Sequence, residues 1–235
     1  KPPKEFFTKT LPPGVVVPGL VNAHSHIELS CMAGKVPVGT PLMGMGSIIH
    51  TQRGQMDSRQ IRQAAVDAIR AAEDEGTFFF CDICNSTEFI RFLSDLPTFN
   101  GNRYLELLGF SSPSDRQRMD AARALLDIDA TFYPTVHSVY GSSPLQMHFV
   151  REKARHTSVS IHLLESPEEI EFQHDRGPIV EFLKRLGQHV KHPELQGRSA
   201  VEYLHSVGML SFKKLLLVHL SAARVEDIDL LSEYV

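Results

Sequence analysis

Short apolar runs rich in β-branched and aromatic residues alternate along this chain with longer helical stretches, and histidines recur where the short runs end. Alternation of that kind implies a parallel sheet covered by helices, because each helical segment carries the chain back across the sheet to begin the next strand. The residue pattern predicts strands at Leu20 to Ala23, Thr77 to Ile83, Arg103 to Phe110, Thr131 to Val136, Val159 to Leu163 and Leu215 to His219. It predicts helices at Ser58 to Glu75, Pro113 to Ile128, Pro144 to His156, Pro167 to Leu186 and Ser199 to Val207, several of which open on Ser or Pro as helix starts do.

The chain has 235 residues, 42% of them hydrophobic, which suits one sizeable core and lies within the range where α/β barrels stay undivided. A net charge of -4 argues against a nucleic-acid partner, since phosphate binding needs concentrated basic surface. The longest apolar stretches, Thr77 to Cys84 and Leu215 to Ala223, fall short of the roughly 20 residues of a membrane helix, so no membrane partner is expected. Lys1 to Thr10 lacks the apolar segment of a signal peptide. Three cysteines cannot build a disulfide framework, and a reducing, cytoplasmic compartment is the expectation. Cys81 and Cys84 have CxxC spacing, but their place inside an apolar strand makes buried structural cysteine the better reading.

The placement of polar residues separates a closed barrel from an open sheet. His24 and His26 follow the first predicted strand, and Asp82 and Asn85 end the second. His137 ends the fourth, His162 and Glu165 the fifth, and His219 the sixth. In a (β/α)8 barrel the chemistry collects at the carboxyl ends of several strands at once. A GxGxxG phosphate loop, expected of a dinucleotide-binding sheet, is absent after the first strand. The expected fold is therefore α/β, a TIM-like (β/α)8 barrel over residues 18–235 with about six β/α units present. Two histidines at i and i+2 in extended chain face the same side, so His24 and His26 read as half of a metal site. The histidines that fall in helices or connections, such as His148, His156, His174 and His205, read as surface residues.

The segments Pro18-Gly-Leu-Val-Asn-Ala-His-Ser-His, His137-Ser-Val-Tyr, His162-Leu-Leu-Glu-Ser and Leu217-Val-His219 resemble the amidohydrolase superfamily, and within it the cytosine deaminase and chlorohydrolase-like branch. The resemblance covers most of the chain in the family's order. It implies that His24, His26 and His162 bind one divalent metal, that Glu165 shuttles protons as acid/base, and that His219 orients the water or substrate. It further implies a fourth metal ligand, an aspartate ending the eighth strand. The sequence stops before that position, and Asp227 and Asp229 fall in a predicted helix and are not assigned to it. Strands seven and eight are expected to be missing, with residues 1–17 a remnant of the family's small β-sandwich.

General metal chemistry supports these roles without the family name. Neutral imidazoles suit zinc, with iron or manganese as alternatives, and a catalytic zinc keeps an open position at which water is acidified. A carboxylate three residues beyond His162 can take that water's proton and deliver it to a leaving amine. The stretch Phe132 to Tyr140 contains no lysine, whereas binuclear members of the superfamily commonly carry a carboxylated lysine there; the resemblance thus favours one metal and heterocycle aminohydrolases. The sequence His26-Ile-Glu28-Leu-Ser30 resembles a bacterial subgroup containing aminofutalosine deaminases. Substrate contacts are expected from His137 first, then from Tyr140, Glu28 and Asn85, with Ser30 near the same mouth. The expectation is a deaminase releasing ammonia from an aminated heterocycle or nucleoside, a small-molecule substrate, with homodimerisation left open. The alternatives are a chlorohydrolase or other C–N hydrolase of the superfamily, or a catalytically silent barrel that serves as a binding module.

Overall fold

The structure is a computed structural model and describes residues 13–109, 114–129, 131–188, 194, 195 and 197–234. Most of the expected sandwich remnant, residues 1–12, lies outside the described residues, and residues 13–17 form no helix or strand. The strands are β1 (Leu20–Ser25), β2 (Thr77–Cys84), β3 (Gly101–Leu107), β4 (Phe132–Val136), β5 (Val159–Leu163) and β6 (Leu215–His219). The helices are α1 (Leu42–Arg53), α2 (Ser58–Asp74), α3 (Thr87–Asp95), α4 (Ser114–Leu126), α5 (Pro144–Lys153), α6 (Pro167–Phe172), α7 (Pro178–Arg185), α8 (Ala200–Ser206) and α9 (Val225–Ser232). Short 3-10 turns at Ile27–Met32 and Met209–Ser211 complete the order. No helix among the described residues is long and apolar enough to cross a membrane.

All paired strands are parallel and follow chain order, β1 to β4 in one ladder and β5 with β6 in a second. Pro134 explains the seam between them. Proline has no N–H to donate, and beside it the Thr135 hydroxyl takes over, accepting the Ser160 N–H at 3.0 Å and donating to the Ser160 carbonyl. One residue beyond β4, the His137 carbonyl accepts the His162 N–H at 2.9 Å and closes the seam at its carboxyl end.

The sheet curves. Adjacent strands are about 4.8 Å apart, so the first and sixth strands of a flat sheet would be separated by roughly 24 Å. The rings of His24 at the end of β1 and His219 at the end of β6 are instead 6.5 Å apart between centroids. Six β/α units thus form most of a barrel wall, with their carboxyl ends converging on one rim.

Local sequence explains the elements. Asp57 with Gln60, Ser143 with Gln146 and Ser199 with Glu202 form capping boxes that start α2, α5 and α8. The expected single helix over Pro167 to Leu186 is in fact two. Asp175 and Gly177 take left-handed φ values of 54° and 89°, and Pro178 has no N–H with which to continue a helix, so α7 starts afresh there. Helices α1 and α3 are additions to the pattern; Gly44 and Gly46 weaken the helix signal of α1, and α3 is only nine residues long. The core lies between sheet and helices, where Ile69, Ile90, Leu125, Val150, Ile161, Val201 and Leu204 are buried. Cys84 is buried with its Sγ 3.3 Å from Asp82, as expected, whereas Cys81 is only partly buried; both are free thiols.

Candidate metal centre

Three imidazoles from three segments converge at the rim. The His24 and His26 Nε2 atoms are 3.2 Å apart, His24 and His162 are 3.0 Å apart, and His26 and His162 are 3.1 Å apart. His24 lies within β1, His26 at the start of the following 3-10 turn and His162 in β5. Two contacting ring nitrogens need one N–H and one lone pair, and three nitrogens in mutual contact cannot all meet that demand. The Nδ1 of His162 faces the His137 carbonyl at 3.1 Å, which assigns the proton to Nδ1 and leaves Nε2 with a lone pair aimed into the triangle. Nitrogens sharing one tetrahedral zinc at roughly 2.0–2.1 Å are about 3.4 Å apart. The donor set and its spacing fit a single divalent cation.

Burial holds the His24 imidazole down to about 3, helped by the neighbouring His162 and His26 rings. Burial likewise lowers His26 and brings His137 to about 4. Depressed values keep these rings neutral near pH 7, the form that ligates a cation. His162 moves the other way: burial lowers it, but its hydrogen bond to Glu106 and the charge of that carboxylate, together with the His137 carbonyl and Glu165, outweigh burial and raise it.

Glu106, in β3, was not singled out by the sequence pattern. Its carboxylate is buried, sits 3.4 Å from His162 Nδ1 and accepts a hydrogen bond from Asn85 Nδ2 at 2.6 Å. Burial opposes its ionisation, yet the imidazoles of His137, His162 and His26 outweigh that cost and hold it below the usual carboxylate range. A carboxylate between Leu105 and Leu107, inside a predicted strand and near the end of β3, was the available signal.

Glu165 and His219 face each other across the same rim, 3.6 Å apart and both partly exposed. The backbone is left-handed at Leu164, with φ 51°, and at His219 and Leu220, with φ 81° and 55°. Such values at non-glycine residues cluster at functional sites.

The four residues expected to contact substrate divide into two pairs. The His137 ring is 4.9 Å from that of His162 and 5.4 Å from that of Tyr140, so this pair adjoins the triangle. A Cβ on Gly141 would lie 2.5 Å from His137 Nδ1, so glycine there is what admits the ring. Glu28 and Asn85 are occupied within the protein. Glu28 is buried, pairs with Arg53, accepts the Asn85 N–H at 2.8 Å and the Ser86 hydroxyl at 3.0 Å, while the Asn85 amide bonds Glu106.

Comparison with solved structures gives the same arrangement of elements. Aminofutalosine deaminase from Helicobacter pylori, in complex with methylthio-coformycin, matches at 22% identity and TM-score 0.72, over 92% of this chain and 53% of its own. An adenosine deaminase from Xanthomonas campestris with bound zinc matches at 19% identity and TM-score 0.67, over 92% and 47%. Guanine deaminase from C. acetobutylicum with bound guanine matches at 14% identity and TM-score 0.71, over 93% and 52%. The chain spans about half the length of these proteins. No curated protein matches by sequence. The family model of the amidohydrolases matches residues 15–234. With six parallel β/α units and three converging imidazoles carried on that matched stretch, this chain belongs to the amidohydrolase family.

Proposed function

We propose that this chain carries the centre of a metal-dependent aminohydrolase, a deaminase that releases ammonia from an aminated heterocycle or nucleoside. The observation that carries the reading is the triangle of His24, His26 and His162 Nε2 atoms, 3.0–3.2 Å on each side, with Glu165 and His219 paired beside it. One cation held there, zinc before iron or manganese, would acidify water and polarise the carbon–nitrogen bond under attack.

The chain's own groups supply the rest. Glu165 takes the proton from the attacking water and passes it to the departing amine, for which a partly exposed carboxylate at the open rim is suited. His219, 3.6 Å from Glu165, orients the water and stabilises the negative charge that develops on the heteroatoms as the attacked carbon becomes tetrahedral. His137 and Tyr140 hold the substrate next to the triangle. Glu28 and Asn85, their polar groups engaged by Arg53, Ser86 and Glu106, serve that site by fixing the rim. The similarity to three deaminase structures supports aminohydrolase chemistry over chlorohydrolase chemistry.

The test is elemental analysis of the purified protein together with ammonia release from a panel of aminated heterocycles and nucleosides. One divalent ion per chain and turnover of at least one substrate are expected. Stoichiometric metal with no turnover across the panel would leave the silent binding module as the better reading.

A further inference from the structure

We propose that Glu169 is a positioning residue that sets the proposed acid/base Glu165, by clamping the left-handed turn that joins β5 to α6. This inference rests on the acid/base role of Glu165 proposed above. After β5 the chain must leave the strand direction at once, so that the residue three positions beyond His162 can face back over the rim. Leu164 makes that turn with φ 51°, a conformation that a branched side chain rarely adopts unless its surroundings enforce it.

The enforcement comes from one side chain. Glu169 is 3% exposed, and its two carboxylate oxygens separately accept the Leu164 N–H at 3.0 Å and the Glu165 N–H at 2.6 Å. These amides lie just past the strand, where β6 no longer supplies acceptors in register. The turn's other bonds run outward: the Leu163 and Leu164 carbonyls accept the Leu220 and Ala222 N–H groups at 2.9 and 2.8 Å, tying the turn to the loop after His219. The clamp therefore fixes the backbone from which the Glu165 side chain reaches His219.

A carboxyl is a costly choice for this place. Burial pushes Glu169 up to about 7, against the pull of its two N–H partners, and Glu165 nearby adds to the rise. Packing alone would be served more cheaply by an apolar side chain, whereas here two N–H donors are each met by a separate oxygen of one rigid group. Glu169 has them because it sits on α6, whose start is set by Ser166, its hydroxyl accepting the Glu168 N–H at 3.2 Å, and by Pro167 at the first helical position.

Glu169→Gln keeps the shape but offers one acceptor where two are needed, and Glu169→Asp keeps the charge but shortens the reach. Two measurements on the purified protein decide the matter. The first is amide hydrogen exchange, which needs no substrate: exchange at Leu164 and Glu165 should quicken at least tenfold in Glu169→Gln, with Ile161 and Leu163 unchanged. The second is turnover: kcat should fall roughly tenfold to a hundredfold with KM within about twofold and metal content unaltered, and Glu169→Gln should add little in a Glu165→Gln background. Unchanged exchange at Leu164 and Glu165 overturns the clamp, as does a full multiplicative loss in the double variant or metal loss in the single one. If the wild-type protein turns over no substrate, the deaminase reading fails while the exchange measurement still decides whether Glu169 holds the turn.

Discussion

Strands β1 and β5 deliver the same kind of side chain to the same rim, and different forces hold them there. Every residue of β5 is buried, so His162 is placed by close packing on both faces of its strand. In β1, Leu20 and Val21 are 59% and 62% exposed, so the strand itself is packed far less closely than β5. Beside the ladder to β2 and the buried Ile27, polar bonds at the strand's end hold it. Asp82 of β2 accepts the Ile27 N–H at 2.7 Å and the Ser25 hydroxyl at 3.0 Å, anchoring the two residues that flank His26, the first of which also follows His24. A metal ligand can thus be preorganised by a core or by a buried carboxylate, and sequence hydrophobicity does not tell which.

The largest effect should be common to both strands. His24→Ala and His162→Ala should each reduce metal from one ion per chain to near zero by elemental analysis, since both lose a corner of one triangle. Full occupancy in either variant would break the equivalence of the two strands.

Glu165→Gln should retain the ion and lower turnover by roughly a hundredfold or more, as loss of an acid/base group does. Turnover at the wild-type rate would remove Glu165 from the mechanism.

Stability should separate the strands where metal binding does not. Ile161→Ala in β5 should cost about 2–5 kcal/mol in denaturant unfolding, because it opens a cavity in a fully buried strand. Leu20→Ala in β1 should stay within about 0.5 kcal/mol, its side chain being largely in solvent. Equal costs would mean that β1 is packed in solution.

The finest distinction is pH-dependent. Burial raises the Asp82 carboxyl from its ordinary value to about 7, against the bonds from Ile27, Cys84 and Ser25. A raised value in the folded state means that the folded protein keeps a proton which the unfolded chain has released. The stabilisation this provides is full below about pH 4 and is lost as pH rises through 7. Asp82→Asn keeps an acceptor oxygen and has no charge to bury, so its stability relative to wild type should climb between pH 4 and 7, by at most about 1.4 kcal/mol per pH unit. Parallel pH profiles for the two proteins would show that Asp82 is ionised throughout.

Much of this was legible in the sequence because it depended on local chemistry. The strand ends were readable because apolar runs stop at polar residues, and the register of His24 with His26 follows from the two-residue repeat of a strand. Gly177 and Pro178 were also in plain view, yet the apolar spacing across Pro167 to Leu186 concealed the break they impose. Glu106 was not singled out, and the charged run Glu165 to Glu171 reads, Glu165 apart, as a solvated helix face although Glu169 is buried; their roles rest on partners far along the chain or on a turn's unsatisfied N–H groups, and neither leaves a periodic trace. Glu28 was seen but not its engagement, since Arg53 reaches it from a helix whose glycines mask its pattern.

By itself the sequence determined the class of fold, the order of its parallel strands and His24 with His26 as half of a metal site, because periodicity and residue chemistry act over a few neighbouring positions; His162 as the third ligand came from the family resemblance. Only the tertiary structure decided that the sheet curves enough to bring β1 and β6 within a ring's contact, and that Glu106 stands behind His162. The same holds for the division of the substrate candidates into a pair beside the triangle and a pair tied up in the rim. Those outcomes depend on distances between residues far apart in the chain, which are set by how strands twist, tilt and pack together and are written in no single segment.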